Sequence, residues 1–398
     1  MQLSTDLSHH FELLRMLGHA YYGGTDVQEV LDVASAVKPG DDEGWHAEWS
    51  RLGDRVRASA DLSLSRGHRL SAAKAYLRAS MYYFMCDFYL HANPEDPRIV
   101  AAGRASRTCF IAGTATGPYA VERVEIPYEQ TSLPAYVIKR KGATGPRPTL
   151  IVHSGFDGTK EEIAIWPGMA AVERGYTVIA FEGPGQGEVI RERKLTFRPD
   201  WNCVVTPIVD YALQRADVDG ARMALMGISL GGLLAPLAAA KEHRLRALIA
   251  NGGVNDYHAI VSARIPPDLL GDPSRLETAL KESQRTNTLA RWGFNHGRMV
   301  FGATDALDYL EKTRHFRAAD AEQIRCETLI LDADHEGFFA GQPRALYDRL
   351  TCRKTYMNLT NAESAGAHCQ AGAEGVGGQR IFDWLDEAMQ VGNDQGDQ

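Results

Sequence analysis

The segment Ala224-Leu225-Met226-Gly227-Ile228-Ser229-Leu230-Gly231 constrains this chain more than any other. An apolar run that reads as a short buried strand, Ala224-Leu225-Met226, leads into a serine held between two glycines. Gly232 to Ala240 then reads as the start of a helix. The glycines let the backbone reverse sharply without a Cβ clash. Strand, tight turn and helix together form the setting in which G-x-S-x-G presents a serine hydroxyl at the carboxyl end of a sheet. The helix aims its positive end and free N–H groups at the same point. The bare pattern is common, and a structural turn is the bland alternative. The flanking strand and helix make Ser229 a nucleophile candidate.

The surrounding periodicity sets the architecture. Short apolar runs at 149–152, 177–181, 223–226, 245–250, 328–331 and 355–358 alternate with helical stretches. Strands separated by helices imply an α/β fold: a mostly parallel sheet with helices on both faces. Just before them, Val121 to Tyr128 and Leu133 to Lys139 alternate like paired antiparallel strands. Residues 8 to about 115 read as helices throughout. Trp45, Trp49 and Leu52 share one face, and Asn93-Pro94-Glu95-Asp96-Pro97 breaks the apolar stretch from Ser71 to His91. The expected organisation is an N-terminal helical cap at 1–118 and a catalytic domain at 119–390. Within the latter, 255–325 is a partly cap-like helical insertion over the catalytic edge. Residues 391–398 are expected to be a disordered tail.

Composition narrows the class. The 398 residues suffice for a large domain and a smaller one. A net charge of −8 argues against nucleic acid and anionic membrane as partners. No apolar run has the length of a membrane span, and Met1-Gln2-Leu3-Ser4-Thr5-Asp6 lacks the pattern of a secretory leader. The 6 cysteines are irregularly spaced, without a C-x-x-C pair. Reduced thiols and a cytoplasmic location are the expectation. No H-E-x-x-H, G-x-G-x-x-G or Gly-Lys-Ser/Thr pattern is present, so neither a metal nor a nucleotide cofactor is expected. The expected partner is a small-molecule substrate.

A serine hydroxyl needs a histidine to take its proton and a carboxylate to orient that histidine. In a sheet of this kind the chain order is serine, acid, histidine. His368 lies in a loop between the last predicted strand and the last predicted helix, from which it can fold back to the elbow. His243, His258, His296 and His315 read as solvated or packing residues. Past the strand Thr328-Leu329-Ile330-Leu331, the acid candidates are Asp332, Asp334 and Glu336. Distance beyond the strand favours Glu336, with Asp334 second. An oxyanion hole needs two backbone N–H donors. Leu230 supplies one, and Phe156, in the loop His153-Ser154-Gly155-Phe156-Asp157-Gly158, supplies the other. Asp157 either caps the helix starting near Lys160 or holds a water or substrate hydroxyl. Glu182-Gly183-Pro184-Gly185-Gln186-Gly187 reads as a packing support for the site. Tyr82, Tyr83 and Phe84 are candidate contacts for a flat apolar substrate; simple core packing is the competing reading.

Several motifs together resemble one branch of the α/β-hydrolases. They are Gly155-Phe156-Asp157-Gly158-Thr159-Lys160-Glu161-Glu162, Glu182 to Gly187, Gly227 to Gly232, Ala367-His368-Cys369, Tyr21-Tyr22-Gly23-Gly24, Gly67-His68 and His91 to Pro97. That branch includes 2,6-dihydroxypseudooxynicotine hydrolase and the fungal yellowish-green polyketide-shortening hydrolases. The resemblance spans nearly the whole chain. It implies hydrolysis of a carbon–carbon bond beside a carbonyl in a small aromatic or polyketide-like molecule. It places the nucleophile on Ser229, the base on His368, the acid on Glu336 and an extra carboxylate on Asp157. Family members carry Asp where this chain has Glu336. It further implies a helical lid beside the site and a homodimer. An esterase, lactonase or thioesterase would use the same residues. A serine peptidase and an inactive binding protein are the more distant readings.

Overall fold

A computed structural model describes residues 2–391 of the chain. Apart from Val391, the expected tail at 391–398 lies outside the described residues. The apolar runs pair into one 8-stranded sheet. Its strands are β1 (Tyr119–Tyr128), β2 (Thr131–Arg140), β3 (Arg147–His153), β4 (Thr177–Phe181), β5 (Val218–Ile228), β6 (Ala247–Asn251), β7 (Glu327–Ala333) and β8 (Lys354–Leu359). Their spatial order is β1-β2-β4-β3-β5-β6-β7-β8. β1 and β2 form an antiparallel hairpin with Tyr128 opposite Thr131, and β2 runs antiparallel to β4. Every pairing beyond β4 is parallel. All residues of β4 and β6 are buried. Helices cover both faces of a parallel sheet, which is why these strands read as unbroken apolar runs rather than alternating ones. β1 carries charged Glu122, Arg123 and Glu125 on a free edge, a pattern that discourages pairing with another chain.

Successive strand residues point to opposite faces, and two apolar layers result. Leu150, Val152, Val178, Ala224, Met226 and Ile249 face one layer, which continues into the N-terminal helices. Ile151, Ile179, Leu225, Leu248 and Ile330 face the other, together with Leu233, Leu234 and Phe301.

The N-terminal helices are α1 (Leu7–Gly18), α2 (Val27–Ala36), α3 (Asp42–Ser65), α4 (Arg69–Cys86) and α5 (Pro97–Thr114). Asp6, Asp26, Asp41 and Asp96 each accept a hydrogen bond from a first-turn N–H, so four of these helix starts are written into the sequence. Pro97 opens α5 rather than ending α4, which stops earlier, at Cys86. α4 is buried over most of its circumference between its neighbours. Residues 255–325 carry helices Tyr257–Ala263, Pro273–Thr286, Thr288–Phe301 and Ala306–Thr313. This insertion meets the N-terminal helices directly. Thr288 Oγ1 donates to Asp6 at 2.5 Å, and Arg291 pairs with Asp42 at 2.7 Å. Among the described residues no helix is long and apolar enough to cross a membrane.

Candidate active site

β5 delivers Ser229 at a backbone φ of +60°, left-handed space that a residue with a side chain enters only when its surroundings hold it there. Ser229 N donates to Asn251 O at 2.8 Å, which ties the turn to the end of β6. A Cβ on Gly227 would stand 2.0 Å from Gly231 O, so the reversal requires glycine at that position. Ser229 Oγ then lies 3.0 Å from His368 Nε2, and His368 Nδ1 lies 2.6 Å from Glu336 Oε2. The N–H groups of Phe338 and Phe339 both donate to Glu336 Oε1 at 3.1 Å. Burial raises the Glu336 carboxyl, but His368 and these N–H groups outweigh it, so the group sits below the ordinary carboxylate range. Burial lowers His368; the adjacent Cys369 and Glu336 overcome that and push it well above its ordinary value. The rings of Phe338 and Phe339 shield the imidazole, with centroids at 4.9 and 5.3 Å. Asp334 is exposed and accepts from Asn361 N and Asn358 Nδ2, so it does not reach His368.

Cys369 Sγ also lies 3.2 Å from His368 Nε2. A neutral imidazole that donates from Nδ1 has one lone pair on Nε2. The thiol has a second acceptor, Asn251 O at 3.5 Å, and this leaves the lone pair to Ser229.

The loop after β3 folds over the elbow. A Cβ on Gly155 would stand 2.5 Å from Leu230 N and 2.4 Å from Ile228 O. Among the described residues, neither Phe156 N–H nor Leu230 N–H has a hydrogen-bond partner. Gln186 Nε2 donates to Ser154 O at 2.6 Å and to Gly155 O at 3.2 Å, so the Glu182–Gly187 motif braces this loop. Glu182 itself engages the buried Lys160 through its backbone N–H and ammonium.

His296 is a residue the sequence reading missed. It is buried, and its Nε2 meets Phe156 O at 2.7 Å while its Nδ1 meets His91 Nδ1 at 2.8 Å. His91 in turn contacts Asp87, which Arg191 also holds. Facing a carbonyl, His296 Nε2 carries the proton; burial keeps the ring neutral, so its Nδ1 accepts from His91. A chain of four side chains thus anchors the loop of one candidate oxyanion donor. Its members lie 104 and 205 residues apart, a separation that leaves no local spacing to read.

Of the two expectations for Asp157, the helix cap is overturned. Thr159, not Asp157, caps the helix Lys160–Ile163. Asp157 instead accepts from Arg15 of α1 at 3.0 Å. The same guanidinium reaches Glu162 at 2.6 and 2.7 Å and Glu12 at 3.1 Å. His19 lies between Glu162 at 3.1 Å and Glu374 at 2.5 Å. Glu374 and Glu162 push the His19 imidazole up to about 9 against the effect of burial.

Ser229, His368, Phe156, Asp157 and this ion cluster line a cavity of about 250 Å³. Phe11, Trp166, Tyr257, Trp292, Phe294 and Tyr309 give it aromatic walls. Tyr82, Tyr83 and Phe84 do not line it, which corrects the expectation of substrate contact there. The Tyr82 hydroxyl donates to Glu29 and that of Tyr83 to Asp54, and Phe84 lies beneath the Arg15 guanidinium at 5.2 Å. Their aromatic character fills the N-terminal core. Among the described residues no group of three or more His, Cys, Asp or Glu side chains is arranged to hold a metal ion.

Sheet order, serine elbow and the loop contacts around it define an α/β hydrolase. Residues 149–369 match the alpha/beta hydrolase family, and the chain belongs to it. It is 32% identical to hydrolase LUC6 of Fusarium sp over 97% of both chains. It is 31% identical to 20-hydroxy-prefusarin hydrolase FUS2 of Gibberella moniliformis, again over 97% of both. The crystal structure of 2,6-dihydroxy-pseudo-oxynicotine hydrolase shares the fold, with a TM-score of 0.73, 20% identity and coverage of 94% of this chain and 95% of that one.

Proposed function

We propose that this protein hydrolyses a carbon–carbon bond beside a carbonyl in a small aromatic or polyketide-like molecule. The observation that carries the hydrolytic reading is the Ser229–His368–Glu336 line, at 3.0 and 2.6 Å, opening onto an aromatic cavity next to two unpartnered N–H groups. In this reading His368 takes the proton of Ser229 as Oγ attacks the carbonyl. Phe156 N–H and Leu230 N–H receive the oxyanion. Glu336, anchored by two N–H groups, holds the imidazole in the tautomer that leaves Nε2 free. The choice of substrate class is supported by the whole-chain resemblance and by relatives named for 20-hydroxy-prefusarin and 2,6-dihydroxy-pseudo-oxynicotine. Asp157 lines the cavity with one oxygen held by Arg15, and it does not by itself separate carbon–carbon from ester cleavage.

Ester or thioester hydrolysis is the second reading, favoured by the same line of residues. Incubation with 1-phenyl-1,3-butanedione and with p-nitrophenyl acetate, products resolved by mass spectrometry, separates the two. Cleavage of the diketone to acid and ketone supports the first reading. Turnover of the ester alone overturns it in favour of the second. In Ser229→Ala and His368→Ala either turnover falls about 10³-fold or more.

A further inference from the structure

One buried ionisable group in the cavity has no part in the chemistry above. Glu12 of α1 is 3% exposed and lines the same space as Ser229 and His368. Its position is bracketed by contacts on both sides. Phe11, the preceding residue, has its ring 6.3 Å from that of His368 and 5.2 Å from that of Phe338. Arg15, one turn on, bridges Glu12 Oε2 at 3.1 Å and Asp157 Oδ2 at 3.0 Å, and Asp157 directly follows Phe156. Glu12 therefore shares the cavity with the histidine and is linked through Arg15 to the residue that follows Phe156. Among the described residues its Oε1 has no hydrogen-bond partner, nor is that atom a sealed, unsatisfied one.

The charges around it demand a proton. Arg15 and His19 face the four carboxyls of Glu12, Asp157, Glu162 and Glu374. Two cations cannot neutralise the buried Glu12, Glu162 and Glu374 together with the half-buried Asp157, so at least one carboxyl retains its proton. Glu162 does not. Arg15 and His19 hold it down at about 2 despite its burial. Burial, with Asp157 and Glu162 adding to it and Arg15 opposing, raises Glu12 to about 8; Glu374 is raised as well.

We propose that Glu12 is the proton donor to the carbon leaving group, delivered to the site by the first N-terminal helix. The proposal rests on the carbon–carbon reading, in which the leaving group is a carbanion or enolate that must take up a proton at carbon. Ser229 Oγ attacks the ketone and its proton passes to His368 Nε2. The carbon–carbon bond breaks and its electron pair leaves on carbon, delocalised as an enolate. The Glu12 carboxyl proton goes to that carbon, and the new carboxylate remains beside Arg15. His368 returns its extra proton to Glu12 through water in the cavity. Water then hydrolyses the acyl-Ser229 ester with His368 as base. One water is consumed, and an acid and a ketone leave.

The test compares 1-phenyl-1,3-butanedione with p-nitrophenyl acetate, whose nitrophenolate leaves without a proton. In Glu12→Gln the ratio of diketone to ester kcat falls about 10²-fold, the usual contribution of a general acid. Wild-type diketone turnover also declines above pH 8 or so as Glu12 ionises, and this limb is missing from ester turnover. Arg15 on its own helix, Tyr89 from the turn after α4, and Asp157 and Glu162 from the sheet domain are the charged or titratable groups facing it. A ratio unchanged in a folded Glu12→Gln protein overturns the proposal while leaving the carbon–carbon reading intact. Should that variant not fold, the wild-type pH profiles decide: coincident alkaline limbs for both substrates overturn it. Wild-type protein that turns over the ester and never the diketone overturns both.

Discussion

Gly155→Ala tests the oxyanion geometry most sharply. The added Cβ would stand 2.5 Å from Leu230 N, 2.4 Å from Ile228 O and 2.9 Å from Gly231 N, all backbone atoms fixed in the elbow. Ordinary contact begins near 3.5 Å, so the loop has to retreat by about 1 Å. Gly155 is not among the positive-φ residues, so alanine meets no backbone strain and the effect is steric. A shift of that size takes Phe156 N–H out of the roughly 2.7–3.1 Å window in which a donor stabilises the oxyanion. Losing one such donor costs about 10²–10³ in kcat. KM changes little, because the charge develops only in the transition state. Overpacking adds a loss of about 1–3 kcal/mol in stability. The assay is steady-state hydrolysis of p-nitrophenyl acetate beside a thermal melt. A folded Gly155→Ala protein with kcat within about threefold of wild type would refute the placement of the hole.

Three further outcomes are expected. Glu336→Ala lowers kcat by up to about 10⁴-fold, and Asp334→Ala, at a solvated residue, leaves it near wild type; comparing the two rates checks which acid orients His368. His296→Phe removes the donor to Phe156 O and lowers kcat about tenfold or more with KM little changed, whereas His296→Gln, which can still donate, recovers most of it; equal losses in both variants would mean simple packing. His19, raised from 6.5 to about 9 in the fold, contributes stability that is complete below pH 6.5 and lost as pH rises through 9. Thermal melts across that range should therefore fall less steeply for His19→Gln than for wild type; Glu12 adds a loss of the same sign in both proteins.

The serine elbow and the position of Glu336 beside His368 were legible because their signals are local. A glycine-flanked serine after an apolar run has few structural uses, and Glu336 stands at the distance past β7 where the chain turns toward His368. Strand positions were legible for the same reason, since burial on both faces leaves continuous apolar runs. The site's supports were not. Glu12 and Arg15 lie more than 140 residues from Asp157 and Glu162, and nothing near Glu12 marks it as a cavity residue rather than a solvated helix face. His296 sits on an amphipathic helix whose pattern is the same whether its inner face meets core or loop. Tyr82, Tyr83 and Phe84 were misplaced because an aromatic cluster has one sequence signature for two fates, packing and binding.

Covalent labelling of the nucleophile tests the central claim most directly. Protein treated with diisopropyl fluorophosphate, digested and mapped by mass spectrometry, should carry a single adduct on the peptide containing Ser229, formed in step with the loss of turnover. Full activity in protein labelled at Ser229, or inactivation accompanied by an adduct on another residue such as Cys369, would contradict it.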